Sequence, residues 1–367
     1  MAGDPAPVDE QRERRRSGLT VAAWSHLGPW ASRWDTMVEC LPLPSPFLRS
    51  WWLEAAAGRR PCFLLVFDGD ALVGGLALEE ERKWGVPLYR MMGAGALCPD
   101  HLDLVAVPEC LGAVVDALAA WLARPGWRML DLEGVVAGSY LATALPRSVR
   151  REVIDVAPWE ALPSEPERYF AERSANFRAN LRKAFRRLAV EGAAHRVAPS
   201  SSVDAALVAL RALHIGQRGP RTRFLTAFDR FAAASRVGVA RGEMAFHELM
   251  AGDSVVASVA VFDVAGRVSL YQSGHATDHR WRNSVSALLE WIIEDACRRG
   301  CAEVDLLRGS EPYKGRFASK ERQVLRLLAA SGVIGHVVLG ASLAEERGRR
   351  VAGRVVRRLR VGRRSTG

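Results

Sequence analysis

FLLVFDGDALVGGLAL, residues 63–78, and FHELMAGDSVVASVAV, residues 246–261, decide how this chain is built. Each is an apolar run, a Gly-Asp turn (Gly69-Asp70, Gly252-Asp253) and a second apolar run, the pattern of a β-hairpin. A second pair follows in the same order at similar spacing: MLDLEG (Met129–Gly134) against EVDLLRG (Glu303–Gly309). One hairpin resembling another is common. Two pairs in a shared order point to internal duplication. The fold class is therefore α/β, with a mixed sheet and two copies of one unit in tandem.

Outward from the hairpins, Phe47–Ala57 and Pro108–Ala123 carry helical periodicity, and Leu88–Met92, Leu102–Val107 and Trp127–Glu133 read as strands. The second half repeats the grammar. Its helices are expected over Phe170–Val190, Val203–Gly216, Phe224–Arg236 and Ser286–Arg299. Its strands are expected over Val268–Ser273, Ala302–Leu307 and Val324–Leu328. The expected organisation is a disordered leader over 1–18, an N-terminal lobe over 19–156, a C-terminal lobe over 157–330 and a basic helical tail over 331–367. Pro158, Pro163 and Pro166 mark the seam.

Composition bounds the partners. The chain has 367 residues, 49% hydrophobic and 25% charged, which excludes wholly disordered, collagen-like and coiled-coil chains. A formal charge of +10 points to polyanions: cofactor phosphates, nucleic acid or an anionic membrane surface. The six cysteines form no CxxC pair and no zinc-spaced cluster, so they read as reduced thiols and no metal is expected. No apolar segment follows the Arg-rich start, and Leu327–Leu343 is broken by Ser331, Gly332, His336 and Gly340. The expected location is cytoplasmic, peripheral to the inner membrane if the tail engages lipid.

Two segments carry candidate chemistry. A strand ending at Ser273-Gly274 is followed by a polar loop with Arg280 and Arg282, then a helix starting at Ser284 or Ser286. Strand, loop and helix N-terminus make an anion site, because free amides and the helix dipole converge there. The competing reading is a solvated loop with an ordinary serine cap. The other segment is RGSEPYKGRF (Arg308–Phe317), just past the buried strand around Asp305. Polar groups at the C-terminal end of an α/β strand are where ligands bind; the alternative is a salt-bridged surface loop.

RGSEPYKGRF after VDLL resembles the acyltransferases of the CelD group, GNAT-type proteins whose C-terminal half is often called a BioF2-like acetyltransferase domain. NFRANLRKAFRRL (176–188), ALHIGQRG (212–219), SPFLRSWWLEA (45–55) and PDHLDL (99–104) are similar to the same family. The likeness covers about 41–328. It implies two tandem GNAT-like lobes, an arrangement shared with FemX-type aminoacyl-tRNA-dependent ligases. It also implies acetyl-CoA or another acyl-CoA as donor, with its pyrophosphate on the helix starting at Ser284–Ser286. Where the family commonly has Ser-Pro-Gly, this chain has Ser284-Val285-Ser286, whose Cβ atoms narrow the approach of a phosphate.

On this reading Arg280, Arg282, Asn283, Ser284, Val285 and Ser286 hold the donor. Glu311 is the candidate base and Tyr313 the candidate acid, with Lys314 essential beside them. Arg308, Asp305 and His275 face the acceptor. Asp305 has an equally weighted alternative as a buried core carboxylate. The first function is acyl transfer to an amine or hydroxyl of a sugar or polysaccharide-pathway intermediate. The rivals are an aminoacyl-tRNA-dependent ligase and a non-catalytic binding module. The tail Arg347–Arg364 interleaves arginines with Val351, Val355, Val356 and Leu359, and reads as a basic amphipathic helix for anionic lipid or tRNA.

Overall fold

The computed structural model describes residues 18–362, apart from Arg147 and Ser310, with side chains described as far as Arg349. The leader expected over 1–18 lies outside these residues, Gly18 excepted. So do the side chains of the tail beyond Arg349, although the backbone is helical over Gly332–Gly362.

Thirteen strands form one sheet. They are β1 (Leu19–Trp24), β2 (Pro61–Asp68), β3 (Ala71–Lys83), β4 (Val86–Met91), β5 (Val105–Ala106), β6 (Arg128–Val136), β7 (Arg150–Ala161), β8 (Ala193–Val197), β9 (Met244–Ala251), β10 (Ser254–Val264), β11 (Arg267–His275), β12 (Glu303–Asp305) and β13 (Lys320–Ser331). The order is β1-β2-β3-β4-β6-β13-β7-β12-β11-β10-β9-β8, with β5 pairing β3. Read from either edge it is the same: an antiparallel meander of four strands, then one parallel partner. β4 runs parallel to β6 and β11 parallel to β12. The hairpins 63–78 and 246–261 occupy equivalent places, as the repeat predicts.

The middle of the sheet departs from simple tandem lobes. β7 follows β6 in the chain but pairs with β12, and β13 follows β12 but pairs with β6. The two then pair with each other from Lys320↔Trp159 to Leu328↔Arg150. Each half thus lends its last strand to the other. The first of the seam prolines lies within a strand: β7 runs on to Ala161, with Ala157 and Pro158 buried, and Pro163 and Pro166 follow it. The polar start Arg150-Arg151-Glu152 hides this strand in the sequence, because its half-exposed face carries charge.

A second tie is aromatic. SPFLRSWWLEA puts Phe47 and Trp52 edge-on to Phe262 of β10 and Tyr271 of β11. Edge-to-face pairs of this kind add about 0.5–1.5 kcal/mol each beyond the area they bury. Arg49 donates to both carboxylate oxygens of Glu243, at 2.8 and 2.5 Å, across the same junction. The halves therefore share one core.

Candidate functional site

β11 and β12 pair over only three residues, Arg267↔Glu303 to Ser269↔Asp305. Past Ser269, β11 runs on to His275 with no strand on that side, while the chain leaves β12 as RGSEPYKGRF. The gap is a cavity of about 280 Å³. Its walls are Leu270–Ser273 of β11, Leu306 and Arg308 past β12, Asp155 of β7, and Val285 and Leu289 of the helix Ser284–Arg298. Unpaired β11 backbone on this side is free to bond a ligand.

The equivalent gap between β4 and β6 is filled. Past Leu88–Arg90↔Met129–Asp131, the loop after β4 turns back with Met92, Leu97, Leu102 and Leu104 all buried. Leu102 bridges Val135 in parallel, and its amide donates to the Gly134 carbonyl at 2.9 Å. Gly134 has φ +91°, and a Cβ there would meet the Pro99 carbonyl at 2.5 Å, so only glycine admits the loop. Of the two gaps, the one between β11 and β12 is the open one, and Cys98 and Asp155 of the first half help to line it.

The helix Ser284–Arg298 opens on Asn283, in the left-handed region at φ +66°, with no side chain capping it. Its first amides have no acceptor inside the helix. Val285 lines the cavity from the first turn. The Ser284 Oγ is buried without a hydrogen-bond partner, while Asn283 and Arg282 are exposed and Ser286 is half-buried. Of the two loop arginines, Arg282 pairs with no carboxylate among the described residues. Arg280 is spent on Asp278 at 2.9 Å and Glu191 at 3.6 Å, which takes it out of the expected phosphate set. Arg187 donates to the carbonyls of Arg280 and Arg282 and so fixes this loop.

Farther along the same helix, Glu290 has a buried Oε2 without a partner; burial, then Glu294, pushes its carboxyl up to about 7. A carboxyl raised from 4.5 to about 7 by folding gives stability that is full below the unfolded value and lost as pH rises through the folded one. Glu290→Gln is therefore expected to raise the melting temperature more at pH 8 than at pH 5. Equal shifts at the two pH values would mean the carboxyl does not titrate this way.

Lys314 and Arg308 are both engaged within the protein. Lys314 is buried; its Nζ donates to the carbonyls of Leu307 at 3.2 Å and Arg308 at 2.7 Å, and pairs with Glu311 at 3.0 Å. It holds the end of β12, where Leu307 sits at φ +54°. Gly309, at φ +125°, lies where a Cβ would run into the Glu311 carboxylate. Arg308 donates from its amide and Nε to Asp100, from a terminal nitrogen to Glu133 at 3.0 Å, and to the Pro99 carbonyl. Its guanidinium is an anchor to PDHLDL, not the free anion holder the sequence suggests. Burial pushes the Asp100 carboxyl up and Arg308 opposes it. Tyr313 lines the cavity, and burial, then Glu311, raises its phenol to about 12.

Asp305 leaves the site. Its carboxylate is fully buried and accepts from Arg267, from Arg322 at 2.9 Å and from the Leu307 amide at 2.7 Å. Burial pushes it up, but Arg267, His101 and Arg322 hold it below its ordinary value. His101 is kept neutral, at about 3, by burial. This is a buried charge network, the alternative weighed for Asp305. His275 turns away from the cavity as well: its Nδ1 bonds the Ala276 carbonyl at 2.9 Å and its Nε2 lies 2.9 Å from the Gln217 amide. A larger cavity, about 520 Å³, is lined by His101, Asp103 and Arg322, whose polar groups already serve this network or cap Tyr140 and Leu141.

The β11/β12 cavity also gathers Cys98, Asp155 and Gln272, which no motif singled out, with Arg218 from ALHIGQRG and Ser273. Arg218 stands exposed at the end of the helix Val203–Arg218 with no ion pair among the described residues. Asp155 accepts from its own neighbour Val156 at 2.9 Å through Oδ1 only, which leaves Oδ2 for a ligand. The six cysteines are all free thiols. Among the described residues no cluster of His, Cys, Asp and Glu could hold a metal, and no helix is long and apolar enough to cross a membrane.

Residues 175–315 match the acetyltransferase (GNAT) domain family. The fold is mixed α/β, one sheet built from two similar halves, of which the second carries the GNAT match. Solved structures of the same fold include the C-terminal domain described as that of a lysylphosphatidylglycerol synthetase from Agrobacterium fabrum, at TM-score 0.57 and 12% identity, covering 85% of this chain and 94% of that one. FemX matches at TM-score 0.55 and 9% identity, covering 81% of this chain and 95% of that one. L-PGS from Bacillus licheniformis matches at 0.53 and 10%, covering 87% and 98%. No curated protein matches the sequence. At these identities the likeness is one of fold.

Proposed function

We propose that the C-terminal lobe transfers an acyl group from an acyl-CoA to an amine or hydroxyl. The observation that carries this is the open gap between β11 and β12 beside an uncapped helix N-terminus, in a chain whose other gap is filled. The residues present fit a nucleotide-linked thioester. Free β11 backbone suits the donor's amide arm, and the first amides of Ser284–Ser286 with Arg282 and Arg218 suit its phosphates. The thioester supplies the activated acyl group.

This chain's residues then divide the work. Asp155 Oδ2 takes the acceptor's proton, replacing Glu311, which is exposed and paired to Lys314. Tyr313, protonated up to about 12, donates from its hydroxyl toward the departing sulfur. Lys314 and Arg308 are positioning residues that fix the β12 exit. Much of the rate comes from holding the reactants in line. RGSEPYKGRF supports a CelD-type acceptor, a sugar or polysaccharide-pathway intermediate.

A second reading is an aminoacyl-tRNA-dependent ligase. Arg182, Lys183 and Arg186 stand exposed along the helix Ala175–Val190, and the net charge is +10. Release of free CoA thiol from acetyl-CoA across a panel of amine and hydroxyl acceptors tests the first reading. Acceptor-dependent release supports it. No release, with tRNA retention that falls steeply as salt rises, supports the second.

A further inference from the structure

The N-terminal lobe has a cavity of its own, about 400 Å³, at the end of β1 and the start of β2, against β4 and the C-terminal end of the helix Leu111–Ala123. It shares no residue with the β11/β12 gap. We propose that it binds a nucleotide-like anion: a planar heteroaromatic ring carrying a phosphate.

The lining is rich in donors and cations. Trp24 contributes its indole to the wall, while its Nε1–H is itself buried, with no acceptor among the described residues. Burial, then Glu80, pushes the Cys62 thiol to about 12, and burial also raises the Tyr89 phenol, so both are protonated at neutral pH. Three guanidiniums, Arg59, Arg60 and Arg124, face one carboxylate, Glu80. Of the three, Arg60 pairs with it, at 3.3 Å and largely exposed, and Arg82 from outside the lining lies 3.9 Å away. Arg59 and Arg124 have no carboxylate partner among the described residues. Such a set is complementary to an anion with several acceptor oxygens.

The walls specify a ring. The Arg124 guanidinium lies over Trp121, 3.7 Å from the ring centroid, and Tyr89 packs edge-on to Trp121 at 5.6 Å. A guanidinium held flat this way extends a stack on which a heteroaromatic ring can lie. The volume exceeds what a bare phosphate fills. The proposal does not rest on acyl transfer.

Calorimetry on the full chain with AMP, adenosine and inorganic phosphate tests it. AMP is expected to bind at least about tenfold more tightly than either half, a difference of about 1.4 kcal/mol. Arg59→Glu and Arg124→Ala should each weaken AMP at least about tenfold. Arg59 is exposed, so its variant should melt with the parent. Saturating acetyl-CoA should leave AMP binding unchanged. Absence of AMP binding at millimolar concentration overturns the proposal. So does binding indifferent to Arg59→Glu, displacement of AMP by acetyl-CoA, or phosphate binding as tightly as AMP.

Discussion

Arg308→Ala is expected to destabilise the protein by about 3–5 kcal/mol, because it strips the partner from a buried carboxylate. Asp100 is 1% exposed and takes both the amide and the Nε of Arg308; Glu133 and the Pro99 carbonyl take the rest of the guanidinium. The loss should grow with pH. Burial already raises the Asp100 carboxyl. Without Arg308 it rises further, and a raised folded pKa means stability lost as pH increases. Arg308→Lys keeps the charge but not the fork, and should fall between. Denaturant unfolding at pH 5 and pH 8 measures this. A loss of under ~1 kcal/mol, or one flat across pH, would show that Arg308 does not anchor the halves.

Asp155→Asn is expected to lower kcat by about 10²–10⁴, the range for removing a general base, with the melting temperature nearly unchanged. The side chain is half-buried and bonds only its own neighbour's amide, so the fold loses little. Donor KM should barely move, since the phosphates sit on other residues. The pH–rate profile should lose its acidic limb. Full activity in Asp155→Asn would return the base to Glu311, whose Gln variant is the direct comparison.

The repeated hairpins could be read because a β-hairpin writes itself locally: alternating apolar runs and a turn residue such as Gly69, at φ +56°. The RGSEPYKGRF loop could be placed because it follows an apolar strand. What could not be read is long-range. The exchange of β7 and β13 leaves no local mark, since either strand could equally pair within its own half. Asp155 belongs to none of the motifs, and only that exchange carries it to the cavity. Arg308, Asp305 and Arg280 showed their charge in the sequence, but not the carboxylates and guanidiniums that folding sets against them. Leu102–Val107 reads as a strand, yet its backbone pairs in two separate pieces, Leu102 with Val135 and Val105–Val107 with β3, because the stretch between them fills the first gap.

The central claim is that the β11/β12 gap holds an acyl-CoA. Calorimetric titration of acetyl-CoA into the full chain, beside Val285→Trp and Arg59→Glu, tests it most directly. Val285 is half-buried and lines the gap, so an indole there occupies the cavity without crowding the core. The account predicts one site per chain, lost in Val285→Trp at an unchanged melting temperature and kept in Arg59→Glu. Acetyl-CoA that fails to bind the parent protein at millimolar concentration, or that binds Val285→Trp as tightly as the parent, would contradict it.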